Sequence, residues 1–109
     1  MTNKEIIVNF YRDVWNAHDS SKVAQYVHED YKQHNPTVEQ GRQGLINFLD
    51  NHFFKLEAQH DIHLILEDGD LVAAYIYVTF NNGGKAVVTD IYRLADGIIV
   101  EHWDSVQKG

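Results

Sequence analysis

The chain has 109 residues, a formal net charge of −7 and no cysteine. This length predicts one domain over residues 1–109. The acidic balance, without a basic run, argues against nucleic acid and anionic membranes as partners, and the lack of cysteine excludes disulfides and thiolate chemistry. Lys4 and Glu5 interrupt any apolar leader, and the longest apolar run, residues 71–78, is too short to span a bilayer, so we expect a cytoplasmic protein.

Helical signals dominate the first part of the chain. Thr2 and Glu5 have the spacing of a capping box, which predicts a first helix that runs to about Ala17 with an apolar stripe facing a sheet. Asp19 or Ser20 can cap a second, short helix that extends through residues 23–27. The sequence therefore begins with two helices joined by a short break.

A third helix and a series of strands complete the predicted fold. Gly41 and Gly44 flank the start of the third helix, which carries apolar residues as far as Phe53. From about Ala58 the apolar period becomes strand-like, and turn signals such as Asp68-Gly69 separate at least four antiparallel strands. Three helices followed by a mostly antiparallel sheet is an α+β arrangement.

Residues 87–107 are predicted to form a two-stranded ribbon that carries the candidate functional residues. Gly97 suits the left-handed position that closes a three-residue hairpin loop over residues 95–97. That loop predicts four cross-strand pairs: Leu94 with Ile98, Tyr92 with Val100, Asp90 with His102, and Val88 with Asp104. A two-residue Asp-Gly turn would instead shift the register by one residue and place Asp90 and Asp104 on opposite faces.

One face of the predicted ribbon combines ionisable and apolar side chains. Its members are Val88, Asp90, Tyr92, Val100, His102, Asp104 and Val106. Two interpretations are open: a solvated polar face with an Asp–His pair, or the floor of a small-molecule pocket. In the pocket interpretation the valines remove water from the carboxylates, which makes them stronger bases. We select Asp90, His102 and Asp104 as the candidate catalytic residues.

Further residues are candidates for contact with a ligand. His34 and Asn35, which follow Gln33 in a short extended stretch, form either an ordinary polar loop or a pocket rim that orients a ligand's oxygens. Trp15, Phe53 and Tyr92 are the aromatic candidates for substrate binding. Three histidines, His34, His63 and His102, are able to converge on a metal in principle, but no spacing requires it, so we expect no metal and no cofactor.

The order of elements and several motifs resemble the SnoaL-like polyketide cyclase family of the nuclear transport factor 2-like superfamily. The matching segments are residues 10–19, 31–36, 41–44, 89–93, 96–97 and 101–104. The resemblance implies a curved sheet and three helices that enclose a cone-shaped pocket, and a cofactor-free aldol condensation that closes a ring. An aspartate on the last strand of these cyclases, which removes a proton α to a carbonyl, falls on Asp104. Their histidine on the preceding strand falls on Asp90, where this sequence departs from the pattern.

Three classes of function remain open. The first is aldol cyclisation or isomerisation of a small apolar carbonyl substrate, with Asp104 as the general base. The second is an epoxide hydrolase-like activation of water by a carboxylate together with an amide such as Asn35. The third is a non-catalytic module that binds small molecules. A closed apolar pocket that ends on Asp90 and Asp104 favours an enzyme, whereas an open, shallow sheet favours binding alone.

The opposite face of the ribbon predicts a protein partner. Ile91, Arg93, Ile99 and Trp103 are assigned to this face, where apolar side chains lie within a polar rim. Members of the resembled family commonly dimerise through the outer face of the sheet. We therefore expect a homodimer that uses these four residues.

Overall fold

The computed structural model describes residues 1–108 and confirms the α+β prediction. Its elements in chain order are α1 (Asn3–Phe10), a π-helical segment (Tyr11–Trp15), a 3₁₀ helix (Ser20–Gln25), β1 (Val27–Gln33), α2 (Gly41–Asn51), a second 3₁₀ helix (Phe53–Leu56), β2 (Gln59–Asp68), β3 (Leu71–Thr79), β4 (Lys85–Ala95) and β5 (Ile98–Lys108). None of the described helices is long and apolar enough to cross a membrane.

The five strands form one open, mixed sheet with the order β1-β5-β4-β3-β2. β2 to β5 form the predicted antiparallel meander, and β1 joins it in parallel with β5. Val27, which the sequence assigned to the second helix, opens β1 opposite Ile99. Pairing with the edge of the sheet outweighs the weak local helical signal at this position, because β-branched residues fit a half-buried strand.

The first helix follows its predicted cap but changes character before its predicted end. The Thr2 hydroxyl accepts a hydrogen bond from the Glu5 backbone N–H at 3.1 Å, and the Glu5 carboxylate accepts one from the Thr2 backbone N–H at 3.0 Å. Beyond Phe10 the chain widens into the π-helical segment, where the Asn16 N–H donates to the Tyr11 carbonyl at 2.8 Å. Such segments are rare and often occur at functional sites.

The core lies between the helices and one face of the sheet. Ile7 and Phe10 of α1 and Leu49 of α2 are fully buried in one cluster with Val72 and Ile76 of β3. Along β3 every second residue is buried, which leaves the other face of that strand toward solvent. Full burial of each such side chain contributes roughly 1.5–3 kcal/mol to the free energy of unfolding.

The register of the β4–β5 ribbon differs from the prediction. The turn has two central residues, Asp96 at φ 52° and Gly97 at φ 78°, and both need the left-handed region that Gly adopts without strain. The four predicted pairs are therefore wrong. The observed pairs are Leu94 with Ile99, Tyr92 with His102, Asp90 with Asp104, and Val88 with Val106.

A two-residue turn alone would place Asp90 and Asp104 on opposite faces of the ribbon. A β-bulge in β5 brings both acids back to the same face. The register shifts between Arg93 and Leu94, so Arg93 opposes Glu101 and Val100 is the extra residue on β5. Asp90 and Asp104 consequently share one face although the predicted loop is wrong. The two-residue turn itself pairs Ile99 with Leu94 and so turns Ile99 inward, where it is 1% exposed, which corrects its assignment to the outer face.

Candidate active site

A cavity of about 140 Å³ lies between the helices and the inner face of the sheet. Most of its wall is apolar, and the predicted residues Trp15, Asn35, Phe53 and Tyr92 all line it. Its polar wall residues are Tyr31, Gln33, Asn35, His60, Asp90, Tyr92, His102 and Asp104. The three candidate catalytic side chains thus meet on the wall of one cavity.

Asp90 is buried and fully engaged by neighbouring side chains. It is 6% exposed, and its Oδ1 lies 2.8 Å from His102 Nε2. The Tyr11 hydroxyl donates to Oδ2 and lies 2.5 Å from the Tyr92 hydroxyl, so Tyr92 donates to Tyr11. Burial, followed by the charge of Asp90, raises the pKa of both phenols well above the usual value, so both remain donors.

Gln33 determines which nitrogen of His102 carries a proton. Gln33 Oε1 accepts hydrogen bonds from the backbone N–H groups of His34 at 3.0 Å and Asn35 at 3.1 Å, which fixes the oxygen end of the amide. His102 Nδ1 lies 3.0 Å from the same oxygen and must donate to it. One further proton then lies between His102 Nε2 and Asp90, in an imidazolium–carboxylate or an imidazole–carboxylic acid pair.

Asp104 lies directly opposite Asp90 in a different environment. It is half-buried, and the Asn35 amide nitrogen donates to its two oxygens at 3.1 and 3.3 Å. The Asn35 oxygen accepts from the backbone N–H and the hydroxyl of Thr37 at 2.9 and 2.7 Å, which holds the amide in place. Within residues 1–108 no cationic side chain and no phenol is hydrogen-bonded to Asp104, so this carboxylate is able to accept a proton from a ligand.

Tyr31 is a site residue that was not among the candidates predicted from the sequence. Its hydroxyl accepts from Gln33 Nε2 at 2.8 Å and keeps its own proton for another acceptor. Burial raises its pKa, and the nearby charges of Asp104 and Asp90 raise it further, so the group remains a donor at the cavity wall. Strand alternation from Tyr31 to Gln33 would have indicated a shared face if the start of β1 had been recognised.

Two other residues of the site were also missed. Tyr11 was part of an apolar helical stripe, and no local pattern indicated that its hydroxyl reaches Asp90, 79 positions later in the chain. His60 was assigned only to a strand, yet it lines the cavity beside the rings of Trp15 and Phe53. Neither contact leaves a signal in the order of the residues.

His34 lies on the outer face of the sheet, which corrects its predicted place on the pocket rim. Its ring stacks on Trp103 with centroids 4.9 Å apart and planes 2° apart, and its Nε2 lies 2.8 Å from a Glu101 oxygen. The alternation of a strand explains the correction, since Gln33 points inward and the next residue points outward. Asn35 returns to the cavity because the strand has ended.

The three predicted histidines do not converge, but another cluster offers metal-ligand atoms. His63 is exposed and packs on the ring of Tyr77 at 4.8 Å, away from His102. Asp90, His102 and Asp104 each present one possible ligand atom within 4.8 Å of the others. A metal there would have to displace the proton between Asp90 and His102 and disturb the hydrogen bonds from Asn35 to Asp104.

Comparisons with known proteins agree with this architecture. Residues 7–102 match the family model described as a SnoaL-like domain. IdmH from Streptomyces antibioticus is 18% identical, with 98% of this chain and 93% of that chain covered at a TM-score of 0.84. A SnoaL-like polyketide cyclase from Agrobacterium tumefaciens is 15% identical, with 98% and 92% covered, at 0.84. TsrD from Streptomyces laurentii is 19% identical, with 94% and 86% covered, at 0.80.

These structural likenesses show a shared fold and nothing more specific, because each of the three proteins is less than 25% identical to this chain. No curated protein matches the chain. The resemblance that the motifs indicated is therefore confirmed at the level of the family and the fold.

Proposed function

Because the chain belongs to the SnoaL-like domain family, we propose that it is a cofactor-independent enzyme acting on a small apolar carbonyl compound. Asp104 is the general base that removes a proton α to the carbonyl. The coarser assignment, a cyclase or isomerase of this family, rests on the family match and the shared fold. The finer mechanism rests on the wall of the cavity.

The observation that carries the proposal is the asymmetry between the two opposed acids. Asp90 receives the Tyr11 hydroxyl and shares a proton with His102, so its two oxygens are both committed. Asp104 receives only the amide of Asn35, which leaves lone pairs available to an incoming proton. Two carboxyl groups with different partners are suited to divide the roles of base and proton donor.

The proposed step conserves atoms and electrons. The Asp104 carboxylate takes the α-proton, the C–H electron pair forms a carbon–carbon double bond, and the carbonyl π-electrons move to the oxygen. The Tyr31 hydroxyl, whose proton is uncommitted, is the donor for this enolate oxygen, and the proton between Asp90 and His102 becomes a second donor when it leaves their hydrogen bond. In a β,γ-unsaturated ketone, return of the proton from Asp104 to the γ-carbon re-forms the carbonyl, moves the carbon–carbon double bond to the α,β position and completes an isomerisation. Attack of the enolate carbon on a second carbonyl, with the proton passing to the new alkoxide, completes an aldol reaction.

The size of the cavity favours a small substrate. Its volume is about 140 Å³, close to the roughly 150 Å³ of an apolar cavity that holds benzene. A monocyclic ketone matches this space, whereas an extended polyketide chain does not. We therefore favour enolisation or isomerisation of a single-ring compound over the folding of a long chain.

Deuterium exchange into simple ketones tests the base and does not require the natural substrate. Cyclohexanone and other small cyclic ketones are incubated with the protein in D₂O, and loss of the α-proton signal is followed by NMR. The wild type should accelerate exchange, and Asp104→Asn should lower that rate by about 10²–10⁴-fold because the general base is lost. Glu101→Gln is the matched control, since this carboxylate lies on the outer face of the same strand.

Exchange that is unchanged in Asp104→Asn, with ketone binding retained, would remove Asp104 from the role of base. Binding without accelerated exchange in the wild type would instead indicate a non-catalytic binding module.

Activation of water remains the second candidate because an amide lies beside the carboxylate. One N–H of Asn35 is directed to Asp104, and the amide oxygen is already occupied by Thr37. A water would therefore be held by Asp104 and at most one amide N–H, which is a weaker arrangement than the joint clamp that this reaction needs. Conversion of cyclohexene oxide to its diol by the wild type would favour this candidate over enolisation.

We also propose a homodimer through the outer face of the sheet, with Ile99 now excluded from the contact. Ile91 and Trp103 lie on this face with the exposed side chains of Leu64, Leu66, Tyr75 and Tyr77. The Arg93 guanidinium lies over the Trp103 ring at 5.8 Å. An apolar patch of this kind suits burial against a second copy. Light scattering at micromolar concentration should give the mass of two chains, and a monomer would refute the dimer.

A further inference from the structure

The cavity has a second polar place, formed by Trp15 and His60, which the proposed reaction does not use. Trp15 ends the π-helical segment, His60 is the second residue of β2, and their ring centroids are 5.2 Å apart. Both residues line the cavity. Among the described residues, Trp15 Nε1 and His60 Nδ1 are the two buried side-chain nitrogen or oxygen atoms without a hydrogen-bond partner.

Two adjacent unpaired polar atoms in a cavity wall need an explanation. Buried polar atoms in folded proteins nearly always have partners, because an unpaired atom loses its bonds to water and gains nothing in return. The His60 backbone is already fixed, since its N–H donates to the Asn16 side-chain oxygen at 2.7 Å and its carbonyl accepts from the Asn16 amide at 3.0 Å. The missing partner is therefore needed by the two rings. Both nitrogens are enclosed, so a ligand in the adjoining cavity would supply the partner once the rings turn toward it.

The chemistry of the two atoms restricts the ligand group. The indole N–H of Trp15 only donates, so its partner must be an acceptor, for which oxygen is the usual choice. Burial among aromatic rings lowers the pKa of His60 to about 4, so the imidazole is neutral near neutral pH. The nearby carboxylate of Asp90 disfavours an anionic group. An uncharged hydroxyl or ketone oxygen satisfies both rings.

We propose that Trp15 and His60 form a specificity subsite that binds an uncharged oxygen of the substrate. The substrate then carries two oxygen functions, one that reacts beside Asp104 and one held by Trp15 and His60. The ring of Tyr11 lies between the two places, with its centroid 5.5 Å from that of His60 and its hydroxyl on Asp90. The cavity of about 140 Å³ has room for about one six-membered ring, so the two oxygens are expected on a single-ring substrate. This inference rests on the proposed function for the assignment of the reacting end.

Binding of two simple probes tests the subsite without any turnover. Phenol carries one oxygen, and hydroquinone adds a second at the opposite position of the same ring. The wild type should bind hydroquinone about tenfold more tightly than phenol, measured by isothermal titration or NMR shift titration, because the second oxygen pairs two otherwise unpaired atoms. Trp15→Phe and His60→Leu should each bring this preference close to unity. His63→Leu, an exposed histidine on the same strand, is the control and should keep it.

The outcomes separate a ligand subsite from a structural role. Trp15→Phe and His60→Leu should keep or raise the melting temperature, since each removes an unpaired buried group while retaining most of the packing. Equal binding of the two probes by the wild type would overturn the subsite, as would a preference that survives in both variants. Asp104→Asn should keep the preference for hydroquinone, so a failure of the proposed general base would leave this binding result unaffected and distinguishable.

Discussion

Two histidine–carboxylate pairs with the same contact distance lie on opposite faces of the sheet. His102 and Asp90 face the cavity at 2.8 Å, and His34 and Glu101 face outward at 2.8 Å. The inner side chains are each 9% exposed, whereas the outer ones are 43% and 20% exposed. The distance is the same, so the difference in their surroundings decides what each pair is able to do.

Every polar side-chain atom of the inner pair has a hydrogen-bond partner in the protein, whereas in the outer pair Glu101 divides its hydrogen bonds between His34 and Arg93. Gln33 holds the second nitrogen of His102, and Tyr11 holds the second oxygen of Asp90. Glu101 instead also receives Arg93 at 3.3 Å, and hydrogen bonds, first from His34 and then from Arg93, lower its pKa. Water and salt screen such an exposed pair, so it contributes little to the free energy of unfolding and is poorly suited to hold a proton for catalysis.

Loss of one histidine should have the largest effect in the inner pair. His102→Leu leaves a buried carboxylate without its main partner, so the free energy of unfolding should fall by about 3–5 kcal/mol. His34→Leu should leave the urea midpoint nearly unchanged because its partner is solvated. Urea denaturation of the two variants measures this contrast. Equal destabilisation would mean that burial does not distinguish the pairs.

The half-buried His60, whose Nδ1 is enclosed, should make stability depend on pH in a way that exposed histidines do not. Burial lowers its folded pKa from 6.5 to about 4, so the unfolded chain takes up the proton first as the pH falls. Stability is therefore lost between pH 6.5 and about 4, by about 3 kcal/mol, and this contribution is constant below that range. His60→Leu should remove this part of the slope in urea unfolding measured across the range, with His63→Leu as the control. Parallel slopes for the wild type and His60→Leu would contradict the shift.

A tyrosine on each face gives the smallest expected contrast. Tyr31→Phe removes a donor from the cavity, so deuterium exchange into a cyclic ketone should slow by about tenfold while ketone affinity changes little. Tyr75→Phe, on the exposed face of β3, should leave the exchange rate unaltered. An unaffected rate in Tyr31→Phe would assign the enolate oxygen to the Asp90–His102 proton alone.

Local patterns predicted the fold well because each depends on neighbouring residues. The capping box at Thr2 is present in the structure, and the change of period near Ala58 marks the start of the meander. The parallel strand β1 was harder to predict, because its register depends on contacts with β5, about 70 residues later. Sequence patterns carry strong information about nearby residues and little about such distant pairings.

The candidate site was predicted only in part for the same reason. The alternation of the ribbon placed Asp90, His102 and Asp104 together, since an even shift in register keeps side chains on the same face. The roles of Tyr11 and Gln33 depend on hydrogen bonds across 79 and 69 positions, which no local pattern encodes. A polar residue within a strand reveals its partner only when the tertiary contacts are known.

The bulge at Val100 makes the ribbon sensitive to the count of its residues. Relative to a three-residue loop, the two-residue turn shifts the β4–β5 register by one residue, and the bulged residue shifts it by one more. The total shift of two residues keeps Asp90 and Asp104 on the inner face. Deletion of Val100 alone would remove the bulge and leave the pairs Leu94 with Ile99, Tyr92 with His102 and Asp90 with Asp104 in place, so both acids would still face the cavity. Loss of the bulged residue should therefore leave the site in place, whereas one residue inserted between Val100 and His102 without a matching change in β4 should turn His102 and Asp104 to the solvent side.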